Sequence, residues 1–178
     1  GITSYNFVTS DCPNDGEYAI RTATQNCFAS TWHSIASDHT GNPNGYMMVI
    51  NASFERGVFY TEVVRNLCAG TTFQFSAYLL NLLRNSTCPG SAILPDITFL
   101  IEKTDGTVLG SLNTGPIASS AMPTWIQYGF AFTLPVGLNE VVLKIKNNAD
   151  GGCGNDIALD DIQFKPCGPS VSAGINGF

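Results

Sequence analysis

Apolar and polar residues alternate with a period of two along most of this chain, the signature of strands that bury one face. The longest such run, Thr72 to Leu83, sets Phe73, Phe75, Ala77 and Leu79 against Gln74, Ser76 and Tyr78. Thr124 to Leu134 sets Ile126, Tyr128, Phe130 and Phe132 against Trp125, Gln127 and Gly129. Ile97 to Lys103 alternates in the same way, and Val141 to Lys146 carries Lys144 and Lys146 on its polar side. Shorter strands are expected at Ser4–Thr9, Glu17–Thr24, Gly45–Ala52 and Gly57–Val64, and from Val108 onward. Turn chemistry separates them, as at Pro13-Asn14-Asp15-Gly16 and at the hairpin signal Asp105-Gly106. No segment has a helical period, and no internal repeat is present. About ten strands with regularly spaced turns predict an all-β chain, an antiparallel two-sheet β-sandwich of the jelly-roll kind.

Three loops interrupt the alternation: Thr31–Gly45, Arg84–Pro95 and Asn147–Asn155. The first, TWHSIASDHTGNPNG, is too long and too irregular to be mere connection, and loops of that length usually bind something. The last strand, Gly154 to Phe164, places the adjacent carboxylates Asp160 and Asp161 among Ile157, Leu159, Ile162 and Phe164. Two carboxylates in a buried strand are costly unless a cation or hydrogen-bond donors meet them. With only 8 Lys and Arg in the chain, a metal ion is the economical partner, and Ca²⁺ is the default for a carboxylate-rich site. The plainer alternative has one Asp capping a neighbouring loop and the other solvated. Asp38, close to Thr40, Asn42 and Asn44, offers further oxygen ligands, or else closes an Asx-turn.

A catalytic reading finds little. His39 has no accompanying nucleophile motif and reads as a structural hydrogen-bonding residue. Neither a G-x-S-x-G elbow nor a zincin helix occurs. Neighbouring strand residues point to opposite faces, so Asp160 and Asp161 are not expected to flank one glycosidic bond. The chain is therefore expected not to be an enzyme. A binding face fits better: Gln74, Ser76 and Tyr78 on one strand, Trp125 and Gln127 on another, combine aromatic surface with amides and a hydroxyl, which is what a sugar requires. Trp125 and Trp32 read first as packing residues, and Tyr78 and Arg84 as the exposed ligand candidates.

Composition narrows the setting. Of the 178 residues 44% are hydrophobic and 12% charged, against roughly 25% charged in an average soluble domain. Asn, Ser, Thr and Gly must cover the surface, which suits a secreted or cell-surface β-protein. A net charge of −6 argues against nucleic acid and anionic membrane as partners. No apolar run approaches the ~18 residues of a membrane span, so no membrane insertion is expected. No charged and apolar leader precedes the first strand, so any signal peptide is expected to lie outside this sequence. The 6 cysteines lack zinc-type spacing and read as disulfides. Fifteen pairings are open, and Cys12–Cys27, Cys88–Cys153 and Cys68–Cys167 are the working set. Residues 1–168 form one module, and 169–178 read as a tail or linker. Asn51-Ala52-Ser53 and Asn85-Ser86-Thr87 match the glycosylation sequon.

TWHSIASDHT followed by GYMMV, with DIALDDIQF far downstream, resembles the MAM domain pattern of a Trp, an Asp-His-Thr, a Gly-Tyr-Met strand and a terminal Asp-Asp-Ile strand. The strands TFQFSAYLLN and TWIQYGFAFTLP, with the same terminal strand, also resemble jelly-roll carbohydrate-binding modules, and residues 11–168 as a whole look like a surface-exposed module of secreted Bacteroidetes proteins. The resemblance implies a galactose-binding-like sandwich with one structural cation, Ca²⁺, held by Asp38 and Asp160, with Asp161 and Thr40 as further ligands. The Cys-x-Phe-Glu opening of MAM domains is missing, because Ala29 follows Cys27-Phe28. Asp15 or Glu17 would have to replace that Glu. The expected function is a monomeric, non-catalytic module that binds a polysaccharide or other glycan through Gln74, Tyr78, Arg84, Trp125 and Gln127. The alternatives are MAM-like adhesion to a surface protein and a spacer with no ligand.

Overall fold

The computed structural model describes residues 1–167, so the expected tail at 169–178 lies outside the described residues. Ten strands are formed: β1 (Asn6–Phe7), β2 (Glu17–Arg21), β3 (Met47–Asn51), β4 (Val58–Val64), β5 (Thr72–Asn81), β6 (Asp96–Glu102), β7 (Val108–Pro116), β8 (Ile126–Thr133), β9 (Val141–Asn147) and β10 (Ile157–Pro166). They build a six-stranded sheet, ordered β1-β2-β3-β10-β5-β8, facing a four-stranded sheet, ordered β4-β9-β6-β7. This is the expected two-sheet sandwich. Every strand pair is antiparallel except β1 with β2, which run parallel. The first strand is shorter than Ser4–Thr9 because Ser4 and Thr3 hydrogen-bond Val58 of the other sheet instead.

The period-two pattern builds the core between the sheets. Phe73, Phe75, Ala77 and Leu79 of β5 face Ile97, Phe99 and Ile101 of β6 and Leu143 and Ile145 of β9, all buried. Phe75 meets Phe99 edge-on, with ring centroids 5.3 Å apart, a favoured geometry for an aromatic pair. The sheets differ by two strands, so the inward side chains of β2 and β3 are only partly covered. Tyr18, Ile20 and Met48 line an open apolar slot of about 520 Å³ together with Ile2, Phe7 and Ile162.

A second cluster lies on the other face of the six-stranded sheet. Met47 and Val49 of β3, Leu80 of β5, Leu82 and Ala158 of β10 are buried beneath Cys27, Trp32 and Ile35. The loop Thr31–Gly45 thus lies over the outward face of the sheet, and the start of β10 is buried on both sides. That is why β10 is central and begins as a continuous apolar run. Trp32 is held by an indole N–H donated to Asp156 Oδ2 at 2.9 Å, and Asp156 Oδ1 accepts the Ala52 N–H at 3.2 Å. Trp32 is 2% exposed, in line with its expected packing role.

Two of the expected disulfides are made, Cys12–Cys27 and Cys88–Cys153. The first spans a sequence separation of 15, a loop the chain-entropy model rates at about 3 kcal/mol. The expected Cys68–Cys167 bridge is not formed: both residues carry exposed free thiols. Among the described residues no helix is long and apolar enough to cross a membrane.

The buried Asp156 makes stability depend on pH. Burial, as the main cause, raises its carboxyl from 3.8 to about 7, with nearby Asp15 adding to the rise, while the Trp32 and Ala52 hydrogen bonds pull the other way. Between those values the folded chain keeps a proton that the unfolded chain has released. Its contribution is therefore full at low pH and lost as pH rises through about 7. Urea unfolding across that span should show stability falling with rising pH, and Asp156→Asn should flatten the slope.

Candidate binding face

Directly opposed residues in a sheet share a face. Asp160 of β10 lies opposite Tyr78 of β5, and Tyr78 lies opposite Gln127 of β8. These three side chains form one row on the outward face of the six-stranded sheet. Further along the same face, Gln163 opposes Ser76 and Lys165 opposes Gln74, with Lys165 Nζ donating to Gln163 Oε1 at 3.0 Å. Gly129 completes the Ser76 row on β8. A Cβ there would run into Ser76 and the Phe75 backbone, so a side chain is excluded and the floor stays flat. Ser76 Oγ is buried and has no hydrogen-bond partner among the described residues.

Between Asp160 and Gln163 the β10–β5 register slips, which is a β-bulge. Asp161 takes a positive φ of 45° there, a left-handed conformation that Asp tolerates better than most residues. The bulge corrects an expectation from strand alternation: Asp160 and Asp161 do not point to opposite faces but converge on His39. His39 Nδ1 is 2.8 Å from Asp161 Oδ2 and 3.9 Å from Asp160 Oδ2. The nitrogen is shielded from solvent, and the 2.8 Å approach lacks hydrogen-bond direction. One donor atom from each of the three residues lies within 4.8 Å of the others. Asp160 is 9% exposed, with Oδ2 accepting the His39 N–H at 2.9 Å and Oδ1 the Asp161 N–H at 2.8 Å.

Asp38 and Thr40, expected as metal ligands, are engaged within their own loop. Asp38 Oδ1 accepts the Thr40 N–H, the Thr40 hydroxyl and the Asn42 N–H at 2.9, 2.7 and 2.9 Å. The Thr40 hydroxyl is the main cause that holds the Asp38 carboxyl below the usual carboxylate range. Asp38 packs against Gly45, where a Cβ would collide with its carboxylate. This is the Asx-turn alternative: Asp38 shapes the loop and so places His39. The carboxylate pair can meet a cation together with His39, and Asp38 is not in that group of donor atoms within 4.8 Å of one another.

The aromatic residues are rearranged by the same loop. The His39 ring stacks on Tyr78, with centroids 3.5 Å apart and planes at 20°, so one face of Tyr78 is already covered. Trp125 stands edge-on to His39 at 6.4 Å and packs partly against the second cluster. Gln127 is exposed beside them. Arg84 is exposed, with its backbone N–H donated to Thr31 O at 3.0 Å and its guanidinium near Ser30 and His33. His39 is the member of the cluster that sequence reasoning assigned to structure alone. Its place beside Asp38 in Asp-His-Thr was the available signal.

No protein-family model matches the chain, and no curated protein matches it either. Solved structures resemble it in fold. A Stig cyclase from Fischerella sp. TAU, solved with an indole compound, aligns at a TM-score of 0.57 and 9% identity over 84% of this chain and 74% of that one. The enzymatically active domain of a bacteriophage CBA120 tailspike protein aligns at 0.50 and 11% identity over 93% of this chain, which spans only 18% of the tailspike chain. A CBM4 structure aligns at 0.45 and 16% identity over 90% and 93% of the two chains, a score too low to bear on fold or function. At these identities the likeness is one of fold alone.

The His39–Tyr78 stack ties the loop to the sheet. His39→Ala should lower the unfolding free energy by roughly 1 kcal/mol, the scale of an aromatic pair, and speed amide exchange across residues 36–45, as read by urea denaturation and hydrogen exchange. His39→Phe should restore most of the stability.

Proposed function

We propose that this domain is a non-catalytic, secreted or surface-attached module that binds carbohydrate on the outward face of its six-stranded sheet. The observation that carries this reading is the cluster of Trp125, Gln127, the His39–Tyr78 stack and the Asp160–Asp161 pair on one face. Gln163, Gln74 and Lys165 extend it with amide and ammonium groups. An aromatic edge with amides and charged acceptors beside it suits the apolar ring faces and hydroxyls of a sugar. Two disulfides fit an extracellular setting.

A bound cation belongs to this reading. Asp160 and Asp161 would hold it, with His39 in the position that the MAM-like resemblance gives to Asp38. Calcium is the ion the resemblance implies, whereas an imidazole donor suits zinc or another borderline metal. Its role would be to hold the loop Thr31–Gly45 against β10, stabilising the fold by binding the native state only. The second reading, MAM-like adhesion to a surface protein, is favoured by the apolar slot, where Ile2 and Phe7 are exposed.

Retention on plant, algal and fungal polysaccharides, measured by affinity electrophoresis, should single out one glycan class. Trp125→Ala and the exposed Gln127→Ala should each weaken it roughly tenfold, about 1.4 kcal/mol. No retention by a folded protein would overturn the carbohydrate reading in favour of adhesion. The thermal melt should rise with added calcium or zinc over the melt in chelator, and Asp160→Ala should abolish the difference. A wild-type melt indifferent to both metals and chelator would sink the cation.

A further inference from the structure

Four of the six cysteines are bridged, and the two left over, Cys68 and Cys167, are each anchored beside the start of β5. Cys68 opens the turn into β5, with its carbonyl accepting the Thr71 N–H at 3.2 Å. Cys167 follows the last residue of β10, and its N–H is donated to the carbonyl of Thr72, the first residue of β5, at 2.7 Å. Residues at the two ends of such a turn lie within ~7 Å of each other, and opposed antiparallel residues about 5 Å apart. Both thiols are exposed. Exposed free thiols are out of place in a chain whose other cysteines are oxidised.

The corner also needs support. As far as Leu159, β10 pairs with both β3 and β5, but from Gln163 to Pro166 it pairs with β5 alone. That half-strand follows the bulge and keeps its register through one ladder and the stack of Phe164 on Phe73, with centroids 4.7 Å apart. A slip there would move the carboxylates at the bulge.

We propose that Cys68 and Cys167 are an oxidation-dependent pair whose disulfide clamps the free half of β10 to the start of β5. With glutathione disulfide as oxidant, one thiolate attacks it to form a mixed disulfide and release one glutathione thiolate. The second cysteine thiolate then attacks the protein sulfur of that mixed disulfide and releases the other. Two protein thiols lose two electrons and two protons, and one glutathione disulfide becomes two glutathione thiols. The new S–S bond crosslinks residues far apart in sequence and restricts the unfolded chain.

The test uses the whole chain, refolded with its two other bridges intact and then treated with glutathione disulfide. Thiol titration should fall from two reactive groups to none while the protein stays monomeric, and peptide mapping should recover a fragment joining Cys68 to Cys167. The melting temperature should rise by roughly 5–15 °C, and amide exchange over Gln163–Cys167 should slow. Cys68→Ser and Cys167→Ser should each abolish both changes. Thiols that stay titratable, or that end in glutathione adducts or crosslinked dimers, would overturn the proposal.

Discussion

The structure depends on burying β10 on both faces. Its first half fills the space between the sheets with Ile157 and Leu159 and supports the second cluster with Ala158. A strand so enclosed cannot carry two carboxylates in plain alternation, because one would face the inter-sheet core without a partner. The bulge resolves the conflict. Setting Asp161 at a positive φ turns both carboxylates outward, and Phe164 returns to the core one residue later in the sequence than regular pleating would allow.

The loop over the outward face answers the same constraint from the other side. Its Trp32 fills the second cluster and hydrogen-bonds Asp156 at the entry to β10, while its His39 stacks on Tyr78 and meets the Asp pair beyond. Asp38 keeps the loop in shape between these anchors. The loop is therefore joined to one strand at both ends of its buried half, and His39 is added to the sheet's candidate face only while the loop is docked.

The two faces of the six-stranded sheet differ in chemistry for a geometric reason. The inner face has a four-stranded partner and is apolar, and where the partner falls short it leaves the apolar slot beside β2 and β3. The outer face has only a loop as cover, so apolar residues lie beneath the loop and amides and charges beyond it. Aromatic and amide groups collect at that border, where Trp125 and Gln127 sit beside the His39–Tyr78 stack.

From the sequence alone came the strands, the two-sheet sandwich and Asp160, Asp161, Tyr78, Trp125 and Gln127 as candidates, while the two disulfides that form were one choice among fifteen pairings. The strands and their arrangement follow from local rules, since a period of two reports one buried face and turn residues report their own dihedrals. What only the tertiary structure decided is which groups converge. The bulge at Asp161 and the stacking of His39 on Tyr78 are long-range outcomes. Each is set by competition for space and hydrogen bonds between segments distant in the chain, and no local pattern encodes the result of that competition.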